Sequence, residues 1–349
     1  MAIKTDGSLW AWGASWFGVL GIGIEANESW HNPVRVGTSY DWYMISAGGT
    51  RSVGIKTDGS LWQWGVSIEG RYGHSTRIVR NTPARIGDQS DWAFVSVGAA
   101  FAMAIKTDGS LWGWGSNSMG QLGLGTNRIF EFHDTPVRIG QDFDWAFVSA
   151  GYTHSLAVKT DGSLWAWGWI SYGFNIETGG RNITVAIPTQ IGEETNWVTA
   201  SAALNSTAIR KDGSLWVWGR DFNTQMNYGT GSNLAEPVQI GTDTDWLLTS
   251  AHASHTMAIK TDGSLWAWGS LGWYDYYEDG DLKSRPLLNY GNIPARIWED
   301  IQWSYISATN IHVIGISANG LFWAWGNNHR GQLGDGTAIC RIVSVKITF

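Results

Sequence analysis

Three histidines, His154, His255 and His312, open segments of nearly the same wording, "HSLAVKT", "HTMAIKT" and "HVIGISA", and Arg51 and Phe101 hold the same place in two others. Imidazoles titrate near neutrality and ligate metals, so this set is the first to consider for chemistry. Its members differ from copy to copy, however, and a metal centre needs matching donors. We therefore expect no metal here and assign no catalytic residue. Two readings of the set stand. Either each histidine bonds backbone within its own repeat, or Arg51, Phe101, His154, His255 and His312 form a partner-facing ring around a central axis.

A second group is aromatic. The stretches at 169–186, 220–236 and 270–292 hold Trp169, Tyr172, Phe174, Phe222, Trp273, Tyr274, Tyr276 and Tyr277, the last four among Asp275, Glu278, Asp279 and Asp281. Aromatics beside acids and amides suit protein recognition or sugar stacking. The alternative is a long loop packed on itself, with its rings covering the edge of its own repeat. The acids match no calcium loop. The recurrent "DGS" does not either, because such a loop needs oxygen ligands at alternate positions and a distal glutamate. Cys340 is the only cysteine, which excludes an intrachain disulfide and a cysteine zinc site. There is no Walker loop, no His-Glu-x-x-His and no Gly-x-Ser-x-Gly, and "GQLGLG" at 120–125 lacks the context of a dinucleotide site. No cofactor is expected.

The elements that position these residues follow from a repeat. An Asp-Gly pair recurs at Asp6, Asp58, Asp108, Asp161, Asp212 and Asp262, with Asn319 in the seventh copy, at intervals of 50 to 57 residues. Each copy divides into four short runs rich in β-branched and aromatic residues: an aromatic-led run ("WAFVSAG"), "HSLAVKT", "SLWAWG" and a proline-containing run ("TPVRIG"). Bounded by Gly, Pro and Asp, these read as four strands. Seven such units predict an all-β fold, a seven-bladed β-propeller of four-stranded antiparallel blades, in one domain over residues 1–349. Asp-Gly supplies a tight hairpin between the second and third strands. The two tryptophans of "WAW" lie on one face of a strand and should wedge adjacent blades apart. With six more at the head of the first strand, twenty of the 25 tryptophans are repeat positions. The prolines are expected to open the fourth strand, which marks it as the outer one.

The first repeat lacks the aromatic-led strand, since the sequence begins at "MAIKT". We expect a shortened or misassigned start, rather than closure of the ring by the tail "IVSVK" at 342–346. Pairing of that tail beside Ala2–Lys4 would decide for closure.

The ordered combination of "HSLAVKTDGSLWAWG" with "GSNSMGQLGLGT" at 115–126, matched again by "GNNHRGQLGDGT" at 326–337, resembles the regulator-of-chromosome-condensation repeat family over the whole chain. The wording is most similar to a prokaryotic or phage branch. The resemblance implies a seven-bladed propeller and binding through one of its faces. The family includes a nucleotide exchange factor for a small GTPase, a plant ultraviolet-B photoreceptor and secreted inhibitors of β-lactamase. Photoreception would need tryptophan in a Gly-Trp-Arg-His-Thr context between the first two strands. The loops here, "GGTRS", "GAAFA", "GYTHS", "ALNS", "HASHT" and "TNIHV", carry none.

The formal net charge is −7 and no run of Lys or Arg occurs, which argues against a nucleic-acid partner. No apolar stretch is long enough for membrane insertion. The expectation is a non-enzymatic binding or scaffold propeller that takes a protein or a surface glycan, outside the cell, on its surface or on a virion rather than in the cytoplasm. Contact would come through the divergent loops of blades four to six or through the axial loops. The alternatives are a lyase or hydrolase with a shallow site on one face, and an architectural subunit of a surface or phage assembly. Oligomeric state is left open.

Overall fold

The computed structural model describes residues 1–24, 28–69, 76–128, 131–170, 183–219, 234–252, 254–278 and 281–349. Each repeat forms one antiparallel sheet, and in all but the sixth its strands neighbour one another in chain order. Blade four is representative: Trp145–Ala150 innermost, then His154–Lys159, Leu164–Ile170 and Ile183–Gln190. Seven such sheets make the predicted propeller. Blade one has three strands, Ala2–Ile3, Leu9–Ala14 and Ser29–Arg35. The tail Arg341–Ile347 pairs with Phe322–Gly326 as the outer strand of blade seven, so it does not lie beside Ala2–Lys4.

The Asp-Gly turn does more than reverse the chain. Asp161 Oδ1 accepts the Ser163 N–H at 2.8 Å and the Ser163 hydroxyl at 2.6 Å, and Ser163 Oγ accepts the Trp165 indole N–H at 2.8 Å. The same relay ties Asp6, Ser8 and Trp10, and likewise Asp58, Ser60 and Trp62. Glycine is required beside the aspartate: Gly162 has φ +85°, and a Cβ there would meet the Thr195 carbonyl oxygen. In blade seven Leu321 stands where the serine should be. There Ser317 donates to Asn319 Oδ1 at 2.6 Å and accepts from Trp323 Nε1 at 3.2 Å, restoring the relay from a different position.

The second tryptophan of each pair is the wedge. Trp64, Trp114, Trp167, Trp218, Trp268 and Trp325 are fully buried, and one core cluster joins Trp145 and Trp167 of blade four to Phe101, Met103, Leu111 and Ile139 of blade three. The inner-strand tryptophan lies edge-on to both members of the pair in its own blade, as Trp145 does to Trp165 and Trp167 at 5.7 and 6.0 Å. This is the arrangement that aromatic quadrupoles favour. Lys159 Nζ sits 4.8 and 4.7 Å from the Trp145 and Trp165 rings and pairs with Asp142 and Asp144.

The prolines differ from expectation. Pro136 lies inside Phe132–Ile139 and Pro188 inside Ile183–Gln190, each at a register shift against the third strand. Pro33, Pro83 and Pro237 also lie inside their strands at such shifts. An outer strand has one unpaired side, and a bulge there releases the one N–H that proline lacks. Only Pro294 directly precedes its strand, Ala295–Ile297.

Candidate functional site

Two places on this frame depart from the repeat and carry polar or aromatic groups: the axial end where first and second strands meet, and the connections between third and fourth strands.

At the axial end the second strand's first residue turns inward. Arg51, Phe101, His154 and His255 are buried there, and His312 is partly buried. The His154 ring nitrogen Nε2 lies 3.0 Å from Ser206 Oγ of the next blade, and His312 Nδ1 lies 2.8 Å from Thr309 Oγ1 of its own. Among the described residues, the two ring nitrogens of His255 have no hydrogen-bond partner. Burial pushes His154 down to about 4 and His255 down to about 3; His252 and His312 add to the latter. These imidazoles are therefore neutral at physiological pH. Burial also lowers Arg51 to about 10 against the opposing pull of Asp134, with Phe132 5.6 Å from its guanidinium.

The structure adds two residues that the sequence reading did not select. Tyr152 lies edge-on to His252, ring centroids 5.4 Å apart, with its hydroxyl 3.5 Å from His252 Nε2 across blade five. His252 stacks on His255 at 6.3 Å. "HASHT" contained the signal, a second histidine three residues before the repeat position. Among the described residues no group of three or more His, Cys, Asp or Glu is placed to hold a metal ion.

At the outer edge, the regular connection is a clasp onto the next blade. In blade three, Asn117 is fully buried, donates to the Thr126 carbonyl at 3.0 Å and accepts the Leu122 N–H at 2.9 Å. That loop presents the Gln121 carbonyl to the Ser155 hydroxyl of blade four at 2.9 Å. Blade seven repeats the device with Asn328 and gives the Gln332 carbonyl to Trp12 Nε1 of blade one at 2.8 Å. In blade one, the Val19 carbonyl receives Ser52 Oγ and Trp64 Nε1 of blade two at 2.9 and 2.8 Å.

Blades two and six carry β-ribbons in this connection, and in blade six the Tyr290 hydroxyl accepts the Trp325 indole N–H of blade seven at 3.0 Å. In blade two Leu61–Glu69 pairs with Thr76–Arg85 beyond the end of its inner neighbour, and Gln63 Oε1 takes the Trp114 indole N–H at 2.6 Å. In blade six the third strand, Leu265–Glu278, continues past the sheet. From Ser270 onward it pairs with Asp281–Asn289, while the blade's outer strand is Ala295–Ile297. The ribbon pairs Trp273 with Pro286, Tyr274 with Arg285, Tyr276 with Lys283 and Tyr277 with Leu282. The connection that looked like a long loop is therefore, over its described residues, a two-stranded ribbon. Trp169 lies in the third strand of blade four, half-buried, its backbone N–H bonded to the Thr153 carbonyl. Tyr172, Phe174 and Phe222 lie outside the described residues.

The family model described as "Regulator of chromosome condensation (RCC1) repeat" matches residues 6–55 and 108–158, and a second of the same description matches 92–121 and 145–173. The RCC1 domain-containing protein RUG3, mitochondrial, of Arabidopsis thaliana is 30% identical over 350 residues, covering 95% of this chain and 64% of that protein. The ultraviolet-B receptor UVR8 of the same plant is 25% identical over 236 residues, 66% of this chain and 52% of that receptor. The chain thus spans about half to two-thirds of the length of these relatives. Among solved structures, human WBSCR16 superimposes with a TM-score of 0.81 at 21% identity, covering 98% of this chain and 94% of that one. Yeast RCC1 (Prp20), solved bound to Kap60, superimposes with a TM-score of 0.80 at 18% identity, covering 100% and 85%. At these identities the two structures speak to the fold. Repeat wording, blade count and relatives agree: the chain belongs to the regulator of chromosome condensation repeat family.

Proposed function

We propose that this chain is a non-enzymatic binding propeller whose partner is a protein, and that the blade-six ribbon is the principal contact. The observation that carries the reading is the register of that ribbon. A rigid frame extends an arm of paired backbone that includes Trp273, Tyr274, Tyr276 and Tyr277, where blades one, three and seven have a short clasp. Binding residues concentrate on irregular connections carried by a rigid scaffold, and aromatics dominate the energetics of protein contacts. Yeast Prp20, of the same fold, has been solved bound to Kap60 and studied for its binding to Gsp1p and histones, which supports a protein as the class of partner.

The test is to replace 271–288 by a short turn and, separately, to make Trp273→Ala and Tyr276→Ala. Pull-down and glycan-array binding are then compared with the parent, with unfolding curves as a check on the frame. The reading expects a protein captured by the parent and lost from all three variants. Capture that survives in every variant removes blade six from the contact, and binding to the glycan array alone replaces a protein partner by a sugar.

A further inference from the structure

The end of the propeller that holds the Asp-Gly turns carries acid outward and base beneath. Asp6, Asp58, Asp108, Asp161, Asp212 and Asp262 are all exposed there. Among the described residues none of the six enters an ion pair. The lysines that end the second strands, Lys56, Lys106, Lys159 and Lys260, lie against tryptophan rings with 5 to 11% of their side chains exposed. Their charge is already tied to acids of the preceding connection, as Lys260 is to Asp243 and Asp245 at 2.7 and 3.0 Å. Around the heads of blades five and six, Lys211 and Arg296 are exposed, against Asp161, Glu193, Glu194, Asp212, Asp243 and Asp262. A partner approaching this end meets net negative charge.

Apolar side chains stand within that field. The turn glycine of one blade takes the N–H of the tryptophan that heads the next inner strand: Trp197 donates to the Gly162 carbonyl and Trp246 to that of Gly213, both at 3.0 Å. The residue after each tryptophan is the unpaired residue of a bulge against the second strand. Bulges re-aim side chains. In blades five and six that residue is Val198 and Leu247, 52% and 55% exposed at the turn end of the central channel. The two inner strands lie side by side, the Ala251 N–H donating to Ser201 Oγ at 3.0 Å, so Val198 and Leu247 hold neighbouring places on the rim. We propose that this rim is a docking site for a cationic, extended protein segment, its apolar residues seated on Val198 and Leu247 and its Lys or Arg side chains facing the acids. Charge complementarity selects that occupant. A second copy would bring the same acidic face against this one, and like charges oppose such a contact. The site lies at the opposite end of the third strands from the blade-six ribbon.

The experiment uses the full chain and the synthetic peptide GKRLLKRG, with binding followed by calorimetry. The expected result is saturable one-to-one binding that weakens as salt is raised, since charges at a surface are screened beyond about 8 Å at physiological ionic strength. The peptide GKRSSKRG should bind at least about tenfold more weakly, because apolar anchors carry most of the energy of such a contact. Two altered proteins place the site. Leu247→Ser changes an exposed side chain, and the double variant Asp161→Asn, Asp212→Asn keeps both turns, since Asn319 Oδ1 already accepts the Ser317 hydroxyl at 2.6 Å in the seventh. Each should weaken GKRLLKRG several-fold, while replacing 271–288 by a short turn should leave its binding unchanged. No saturable binding up to about 1 mM peptide, the weak limit of specific recognition, overturns the proposal. Equal binding of the two peptides overturns it too, as bare attraction between charges. So does parent affinity in both altered proteins, and so does self-association of the parent that Leu247→Ser abolishes, which would give the rim to a second copy.

Discussion

Phe349 stands edge-on to Trp12, ring centroids 5.8 Å apart and planes at 71°. In blades two to seven the corresponding ring is the inner-strand tryptophan of the same blade, as with Trp303 and Trp325 at 5.6 Å. Blade one has no such tryptophan, and a phenylalanine from the end of blade seven fills the position. Lys4 Nζ lies 4.2 Å from Trp10 and 5.1 Å from Phe349, reproducing the cation between two rings seen at Lys159. One aromatic ring thus completes the packing of one blade and the junction of two.

Removing that ring should loosen the junction between blades seven and one. Phe349→Ala is expected to cost about 1–2 kcal/mol, below the roughly 3–5 kcal/mol for a buried aromatic, because Phe349 is 38% exposed. Trp145→Ala, at a buried counterpart, should cost the larger amount. Urea unfolding of the two variants provides the comparison; equal losses would show that Phe349 is held as firmly as an inner-strand tryptophan.

The Asp-Ser-Trp relay gives a prediction about compensation. Ser163→Ala leaves the Trp165 indole N–H without its acceptor, at a cost of about 1–2 kcal/mol. In blade seven, where Leu321 replaces the serine, the sensitive residue is Ser317 instead. Ser317→Ala should destabilise by a smaller amount, since its bond from Trp323 is 3.2 Å against 2.8 Å at Ser163. Unfolding midpoints that leave Ser317→Ala at the parent value would mean the substitute bond contributes nothing.

Features that repeat within one period were legible in the chain. The blade count, the Asp-Gly turn, the shared face of Trp165 and Trp167 and the outer position of Arg341–Ile347 all follow from spacing and alternation. What escaped depends on relations between blades. Nothing local to Pro136 reveals that its strand is bulged, because the bulge is defined by the register against the neighbouring strand. Nothing local to Gln121 shows that its carbonyl meets Ser155 of the next blade. Arg51, Phe101, His154, His255 and His312 each begin a second strand, as their shared wording suggests, but their burial is set by the blades on either side. The blade-two ribbon was missed for another reason: "GVSIEGRYGHSTRIVRNT" alternates too weakly to distinguish a strand pair from a loop.

The clasp in blade three makes Asn117 a structural residue with an effect in the next blade. Asn117→Ala strips the Leu122 N–H and the Thr126 carbonyl of their partners in a fully buried site. A loss of about 2–3 kcal/mol is expected. Because the loop's Gln121 carbonyl holds Ser155, amide exchange should accelerate in His154–Lys159 of blade four as well as in the loop itself. Acceleration confined to residues 117–126 would limit the clasp to its own blade.

His255 predicts how stability responds to acid. Its folded value is depressed from 6.5 to about 3, chiefly by burial, with His252 and His312 adding to the effect. The unfolded chain therefore takes up a proton near pH 6.5 that the folded chain refuses, and stability falls as pH drops from there to about 3. His154 and His252, each held near 4, act in the same direction. The aspartates of the turns belong to a later phase. Hydrogen bonds from serine lower Asp6, Asp58, Asp108, Asp161, Asp212 and Asp262, so their contribution is present above the ordinary carboxylate range and lost only below it. Phe101 shows that a phenyl ring fits the position equivalent to His255 with no exposure. His255→Phe should therefore fold, and should remove one proton's slope, about 1.4 kcal/mol per pH unit, from the limb between pH 6 and 4. The phase below pH 4 should remain. Urea midpoints at half-unit intervals would resolve the two phases, and parallel curves for the parent and His255→Phe would show that the buried imidazole is already protonated in the folded chain.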